Sequence, residues 1–161
     1  MIMRSVGWIG VEMPELIRPE GSAAGDFRLL EHTADMGIEA WADSLDALFI
    51  AASRGLQEIL FGQDCPTEGH LQLKLELQAG DEEELLVAWL GEILFLVEQR
   101  GFCPAFFVIE EIGRQSLKGS LVGRYQQEGC RPLREVKAVT YYLLRVLHRD
   151  NRWQARVYLD L

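Results

Sequence analysis

Two acidic segments, far apart in the sequence, carry oxygen atoms of the kind that bind metal ions. In the first, residues 31–35 (EHTAD) interrupt an apolar pattern with polar side chains. In the second, Asp160 is followed by Leu161 and its α-carboxylate, and two adjacent anions are unfavourable unless solvent or a cation screens them. Asp35 and the last two residues would together form an all-oxygen, anionic cluster, which Ca²⁺, Mg²⁺ and Mn²⁺ prefer.

Each segment also has a purely structural interpretation. Thr33 or Asp35 can accept a hydrogen bond from its own backbone in a turn, and the chain end can be a solvated strand terminus. Hydrophobic periodicity does not place Asp35 near Asp160. The residue types alone therefore leave both interpretations open.

Other chemistry lacks its usual motifs. The sequence contains no GxxxxGK[ST] or GxGxxG phosphate-binding loop, no GxSxG nucleophile elbow and no HExxH zinc motif. The histidines and the three cysteines, Cys65, Cys103 and Cys130, are scattered without CxxC spacing. We therefore expect neither a zinc site nor a disulfide framework, and a reducing cytoplasm as the location.

The composition is that of a single globular domain, with 161 residues of which 48% are hydrophobic and 25% charged. The formal net charge of −9 predicts no strong direct binding to nucleic acid, because phosphate neutralisation supplies most of that affinity. A cation or a basic protein surface is the more natural partner. The longest apolar run, residues 85–97, is interrupted and too short to span a membrane, and we find no signal peptide.

Residues 1–25 predict a flexible N-terminal extension, because prolines and a glycine-rich stretch interrupt every periodic pattern. The domain is then expected over residues 26–161. Helical spacing of apolar residues predicts helices over 44–61 and 82–99. The predicted caps and ends are Ser44 and Gly62 for the first helix, and Asp81 and Gly101 for the second.

Alternating apolar and polar residues predict about seven strands. This pattern gives an α+β fold, a two-layer sandwich in which two helices pack on a mostly antiparallel sheet. The predicted strands are 27–31, 36–42, 71–77, 106–111, 116–122, 135–147 and 152–160.

The last two predicted strands form a hairpin around the two-residue turn Asp150-Asn151. A turn of this length fixes the register and brings apolar residues together on one face. The resulting pairs are Val146 with Ala155, Leu144 with Val157, Tyr142 with Leu159 and, on the other face, Tyr141 with Asp160.

Four segments of the sequence resemble the archease family. They are residues 32–38 (HTADMGI), 89–94 (WLGEIL), 135–141 (EVKAVTY) and the terminal residues 159–161 (LDL), in the family's order and with similar spacing. The first and third segments together are a specific signature. The resemblance covers about residues 26–161.

The resemblance implies a small α+β protein that is not itself an enzyme. It implies a cytoplasmic activator of the GTP-dependent RNA ligase of tRNA splicing and RNA repair, which joins 3′-phosphate or 2′,3′-cyclic-phosphate ends to 5′-hydroxyl ends. Archeases promote guanylylation of the ligase, so that it turns over repeatedly. Some archeases have also been linked to tRNA methyltransferases.

The resemblance further implies a site for one divalent cation, Ca²⁺ first and Mg²⁺ or Mn²⁺ as alternatives. Carried over to this sequence, its ligands are Asp35, Asp160 and a main-chain oxygen of Leu161. Glu31 and His32 would orient Asp35, or would merely satisfy a turn.

Lys137 is expected on the face of Asp160, where it would contact phosphate or the partner, or would simply be solvated. Three positions depart from the family pattern, because Arg124, Cys130 and Tyr142 replace a usual Glu, His and His.

Two other functions remain open. A chaperone-like modulator of a tRNA-modifying methyltransferase would bind its partner without metal. A metal-dependent phosphoesterase would use the anionic oxygens and a cation to activate water, although the sequence offers no clear base.

Overall fold

A computed structural model describes residues 9–17, 25–31, 34–126 and 129–161. Within these ranges the chain forms eight strands, two α-helices and one short 3-10 turn at Gly62–Asp64. The helices are α1 (Leu45–Phe61) and α2 (Glu82–Arg100). The strands are β1 (Ile9–Ile17), β2 (Gly25–Glu31), β3 (Asp35–Ala42), β4 (Gly69–Gln78), β5 (Phe102–Ile112), β6 (Ser116–Tyr125), β7 (Ala138–Arg149) and β8 (Arg152–Asp160).

The predicted helix signals are confirmed at both helices. The Ser44 hydroxyl accepts a hydrogen bond from the Ala47 amide at 3.4 Å, and the Asp81 carboxylate accepts one from the Glu84 amide at 2.9 Å. Each side chain thus satisfies one of the free amides of a helix start. Gly101 ends α2 with φ of 67°, a left-handed conformation that glycine adopts without steric cost.

The strands form two antiparallel four-stranded sheets. The first sheet has the order β1-β4-β6-β5, and the second has the order β2-β3-β8-β7. The predicted α+β class is therefore confirmed, with eight strands in the described residues against the seven expected. The additional strand is β1.

Part of the expected flexible N-terminal extension is an ordered strand, β1. Residues 9–17 pair with β4, where Gly10 lies opposite Leu73. Their amides and carbonyls complete the edge of β4, which would otherwise be unpaired. The register shifts between Glu12 and Ile17, and Pro14 lies within this irregularity, where a missing amide is tolerated.

Both helices contact strands of both sheets. Helix α1 packs against β2 and β3 of the second sheet and β5 of the first, and α2 packs against β7 of the second sheet and against β4 and β5 of the first. The buried polar groups between them are paired. Trp89 donates its indole N–H to the Ser53 hydroxyl at 2.8 Å, and Ser53 donates to the Phe49 carbonyl. No helix among the described residues is long and apolar enough to cross a bilayer.

The β7–β8 hairpin follows the predicted register only near its turn. Asp150 and Asn151 have positive φ values of 53° and 60°, as a two-residue hairpin turn requires, and Val146 pairs with Ala155 as predicted. Further along, Thr140 pairs with Tyr158. The four residues between Thr140 and Arg145 therefore face one residue of β8.

This bulge makes three predicted pairs wrong, since Leu144 lies within the bulge and does not pair with Val157. Leu159 pairs with Val139 rather than Tyr142, and Asp160 pairs with Ala138 rather than Tyr141. The three extra residues are accommodated where Leu143 adopts a positive φ of 52°, which alternation of apolar residues does not reveal.

The expectation of no disulfide is also wrong. Cys103 at the start of β5 is bonded to Cys130 in the segment before β7, with their Cα atoms 6.3 Å apart. Only the packing of these two distant segments brings the cysteines together. Cys65 is free and half-buried, and burial is the main cause that raises the pKa of its thiol.

We predict that Ser53→Ala destabilises the protein by about 1–3 kcal/mol, because the buried Trp89 N–H loses its acceptor. Urea unfolding monitored by circular dichroism measures the change. The matched control is Ser116→Ala at an exposed serine. Equal stability of Ser53→Ala and Ser116→Ala would contradict the importance of this hydrogen bond.

Candidate functional site

Asp35 and Asp160 lie directly opposite each other in the second sheet. Asp35 is the first residue of β3 and Asp160 is the last residue of β8. Directly paired residues share a face, with Cβ atoms about 4.5–5.5 Å apart. The pairing of these two strands thus brings together the acidic segments that the sequence could not connect by periodicity.

The electrostatics of this pair are unfavourable without a counter-charge. Like charges directly opposite each other destabilise a sheet. In addition, the Asp35 Oδ1 atom is shielded from solvent and accepts no hydrogen bond from the described residues. A carboxylate oxygen in that state is costly, and a cation beside it would remove the cost. The pair therefore fits a hard divalent cation.

The main chain of the C-terminal segment is fixed beside this pair. The Leu161 side chain packs against the hydrophobic core. The Asp160 carbonyl accepts a hydrogen bond from the Lys137 amide at 2.8 Å. These contacts hold the backbone of residues 160–161 next to Asp35.

Side chains alone do not complete a metal site in the part of the chain that the structure describes. Among those residues, no three or more His, Cys, Asp or Glu side chains are grouped to hold a metal ion. A cation between Asp35 and Asp160 would therefore need main-chain oxygen or water as further ligands. The resemblance to archeases implies a main-chain oxygen of Leu161 as one such ligand, and this stays a prediction.

The remaining predicted residues take different positions. Glu31 is exposed and pairs with Met36, so strand alternation places it on the opposite face from Asp35. His32 lies outside the described residues. Lys137 reaches the site through its amide, while its exposed side chain borders a groove of about 500 Å³ between α2 and residues 135–139.

Two tyrosines flank the acidic pair, and sequence patterns gave them no role there. Tyr158 lies opposite Gly37, and a Cβ atom at Gly37 would be only 2.8 Å from the tyrosine ring. The glycine thus lets the ring lie across β3, two residues from Asp35. The Tyr142 ring packs edge-on against Tyr158, with the ring centroids 5.8 Å apart.

The bulge brings an exposed aromatic surface next to α2. Tyr141, Tyr142 and Leu143 are each more than half exposed. Partial burial, followed by the carboxylates of Glu84 and Asp81, raises the pKa of the Tyr141 phenol. Tyr142, one of the departures from the family pattern, therefore lies on a surface rather than among the candidate metal ligands.

The other two departures meet at Cys103. Arg124 pairs with Cys103 across β5 and β6, and Cys130 forms the disulfide with it. The Arg124 Nε atom is buried and has no hydrogen-bond acceptor in the described residues. Arg124 lies in the first sheet, whereas the acidic pair lies in the second.

Glu39 holds three strands of the second sheet together. It pairs with Arg28 of β2 and Arg156 of β8, with nitrogen–oxygen distances of 2.6 and 2.7 Å. Hydrogen bonding from Arg156 is the main cause that lowers the pKa of Glu39, and Arg28 adds to it. This cluster is four residues along β3 from Asp35.

We predict that Glu39→Gln costs about 1 kcal/mol of unfolding free energy at neutral pH, because the Arg28 and Arg156 side chains are 62% and 42% exposed and solvent weakens their ion pairs. A depressed carboxyl pKa stabilises the fold above the unfolded-state pKa and loses that effect as pH falls through the folded-state pKa. The difference from wild type should therefore shrink as the pH falls through the folded-state pKa of Glu39, and vanish once Glu39 is protonated in both states. Urea unfolding across pH, with the exposed Glu110→Gln as control, measures it. A difference that does not change with pH would contradict this origin.

The fold and the acidic pair together define a class of small α+β proteins. In this class, β3 pairs with the last strand, β8, and the pairing places two aspartates opposite each other. The sequence profile of the Archease protein family matches residues 27–161. The chain belongs to the archease family.

Individual relatives agree with this assignment. The chain is 33% identical to Protein archease of Methanopyrus kandleri over 136 residues, which cover 82% of this chain and 96% of that protein. It is 30% identical to Protein archease of Pyrococcus furiosus over 136 residues, covering 81% and 95%. The solution structure of Methanobacterium thermoautotrophicum protein 1598 is similar, with a TM-score of 0.68 and 29% identity, covering 87% of this chain and 100% of that one.

Proposed function

We propose that this protein is a non-catalytic activator of a GTP-dependent RNA ligase in tRNA splicing and RNA repair. It promotes guanylylation and repeated turnover of the ligase through an acidic site that binds one divalent cation. Membership of the archease family supports the class of function. The observation that carries the site is the direct opposition of Asp35 and Asp160, with the Asp35 Oδ1 atom buried and unpaired among the described residues.

Asp35, Asp160 and a main-chain oxygen of Leu161 would hold the cation, with Ca²⁺ as the first candidate and Mg²⁺ or Mn²⁺ as alternatives. All of these ligands are hard oxygens, and Ca²⁺ accepts mixed carboxylate and carbonyl ligands with water. When bound, the ion supplies a positive charge that suits phosphate groups of a nucleotide or partner. The chain itself contributes a fixed geometry, because strand pairing and the Lys137 amide position both carboxylate-bearing segments.

A second candidate function is a chaperone-like modulator of a tRNA-modifying methyltransferase. The exposed Tyr141, Tyr142 and Leu143 favour it, because exposed apolar residues in one patch mark protein contacts. This function needs no cation, so it predicts that the acidic pair is dispensable.

A metal-dependent phosphoesterase is less well supported. Water activation by two metals needs more ligands than a single carboxylate pair, and the described residues contain no larger group of His, Cys, Asp and Glu side chains. Hydrolysis of phosphate esters by the purified protein with Mn²⁺, without any ligase, would favour this function over the activator.

We expect Ca²⁺ to raise the melting temperature of the wild-type protein, because a ligand that binds the native state stabilises it. The melting temperature of Asp160→Asn should not change, because this variant lacks one of the proposed ligands. Without a cation, Asp160→Asn should be more stable by about 0.2–1 kcal/mol, since it removes a like-charge pair. Scanning calorimetry and calcium titration measure both effects.

The matched control for this experiment is Asp43→Asn, an exposed carboxylate just beyond the other end of β3. It changes the net charge equally but lies about 26 Å along the strand from Asp35. Equal calcium-induced shifts in wild type, Asp43→Asn and Asp160→Asn would remove the metal site from the proposal.

The function itself is tested with the ligase of the same organism, GTP and an RNA with a 3′-phosphate break. We expect wild type to increase multiple-turnover joining, and Asp160→Asn to lose at least about tenfold of that stimulation, as is usual when a metal site is disturbed. Asp43→Asn should stimulate like wild type. Full stimulation by Asp160→Asn would favour the chaperone-like function instead.

A further inference from the structure

Five arginines lie on the outer face of the second sheet, the face that also carries Asp35 and Asp160. Strand alternation and the β3–β8 register place the side chains of residues 35, 37, 39 and 41 together with those of residues 154, 156, 158 and 160. The buried residues of the same strands, such as Ile38 and Val157, lie on the opposite, core-facing side. The arginines on the outer face are Arg28, Arg145, Arg149, Arg152 and Arg156.

Four of these arginines form two like-charge pairs. Arg145 lies directly opposite Arg156, and Arg149 lies directly opposite Arg152. Such pairs destabilise a sheet unless an anion lies beside them. Glu39 forms ion pairs with Arg28 and Arg156, and so neutralises part of the charge of only one of the two pairs. Arg145, Arg149 and Arg152 make no ion pair or side-chain hydrogen bond with any described residue.

The residue type points to phosphate. The strands of the second sheet contain arginines and no lysine. A guanidinium group binds phosphate with two parallel hydrogen bonds, which a lysine ammonium does not do. The exposed positions of Arg145, Arg149 and Arg152 leave their donors open to such a ligand.

An aromatic side chain adjoins this cationic surface. Trp41 lies on the same face, half-buried, opposite Gln154 and two residues along the strands from the Glu39–Arg156 pair. Sheet-face aromatics beside arginines bind single-stranded RNA, because bases stack on the ring while the cations contact the phosphates. An acidic protein surface would use the arginines but would not need the ring.

We propose that the outer face of the β2-β3-β8-β7 sheet binds single-stranded RNA. Arg145, Arg149 and Arg152 contact phosphates, and Trp41 stacks on a base. Arg156 is four residues, or about 13 Å, from Asp160 along β8, so a bound strand can extend toward the acidic pair. The inference deepens the proposed function, since an RNA end is the substrate of the ligase.

This local binding surface is compatible with the net charge of −9, which limits affinity. Non-specific binding by a few cations typically has a Kd of about 1–100 μM and weakens with salt. With three arginines on phosphates, the logarithm of the binding constant should fall with the logarithm of the salt concentration with a slope of about −2.

The experiment measures fluorescence anisotropy of a labelled single-stranded RNA of about 12 nucleotides, without ligase and in EDTA. The variant Arg145→Gln/Arg149→Gln/Arg152→Gln should weaken binding by about tenfold and flatten the salt dependence. Its melting temperature should be equal to or above that of wild type, because like-charge pairs are removed.

The matched control removes three exposed arginines from other parts of the molecule, in the variant Arg100→Gln/Arg114→Gln/Arg131→Gln. It should bind within about twofold of wild type, since the same change in net charge leaves the proposed surface intact. Equal losses in the two triple variants, or no binding by wild type at about 50 mM salt, would overturn the proposal.

The readouts separate this inference from the proposed function. The RNA assay contains EDTA and no ligase, so its result depends neither on the proposed cation site nor on the ligase. RNA binding without stimulation of any ligase would leave the surface standing and reject the activator function. A third outcome would overturn the inference. If wild type binds no RNA but the Arg145→Gln/Arg149→Gln/Arg152→Gln variant loses ligase stimulation, the surface binds an acidic protein partner instead.

Discussion

The pairing of β3 with the last strand, β8, is the constraint on which the site depends. It places two aspartates opposite each other although 125 sequence positions separate Asp35 from Asp160. Strand pairing imposes this contact through backbone hydrogen bonds, against the repulsion of the carboxylates. The core residues on the other face of the same strands, Ile38 and Val157 among them, hold the pair in register.

The neighbouring strand adapts to this register rather than setting it. Strand β7 has three more residues than β8 between its two paired stretches, and the excess leaves the sheet as the bulge at residues 141–144. Without the bulge, the regular hairpin register would place Tyr141 beside Asp160. With it, the small Ala138 takes that position, and Tyr142 packs against Tyr158 instead. The bulge therefore places a small side chain directly opposite Asp160 and creates the exposed aromatic surface.

Charge is distributed unevenly along the outer face of the second sheet. Its carboxylate end holds Asp35 and Asp160, and its hairpin end holds arginine pairs, with Glu39 bridging two arginines between them. An acidic chain thus presents anionic and cationic regions on one continuous surface. The cation site and the RNA surface that we propose would therefore lie on one face of the same sheet.

The sequence by itself determined the local structure. Both helices and their caps at Ser44 and Asp81 were predictable, because capping and apolar periodicity act within a few residues. Most strands and the antiparallel α+β class also followed from alternation. The candidate ligands Asp35, Asp160 and Leu161 were chosen by residue chemistry and by resemblance to the archease family, without any sequence rule that places them together.

Only the tertiary structure decided the long-range relations. The opposition of Asp35 and Asp160, the Cys103–Cys130 bond, the pairing of β1 with β4 and the arginine pairs all depend on which strands become neighbours. The bulge in β7 also escaped prediction, because its three extra residues shift the register without a signal in the apolar alternation. These features arise from packing between distant segments, whose free energy is not encoded in any single stretch of sequence.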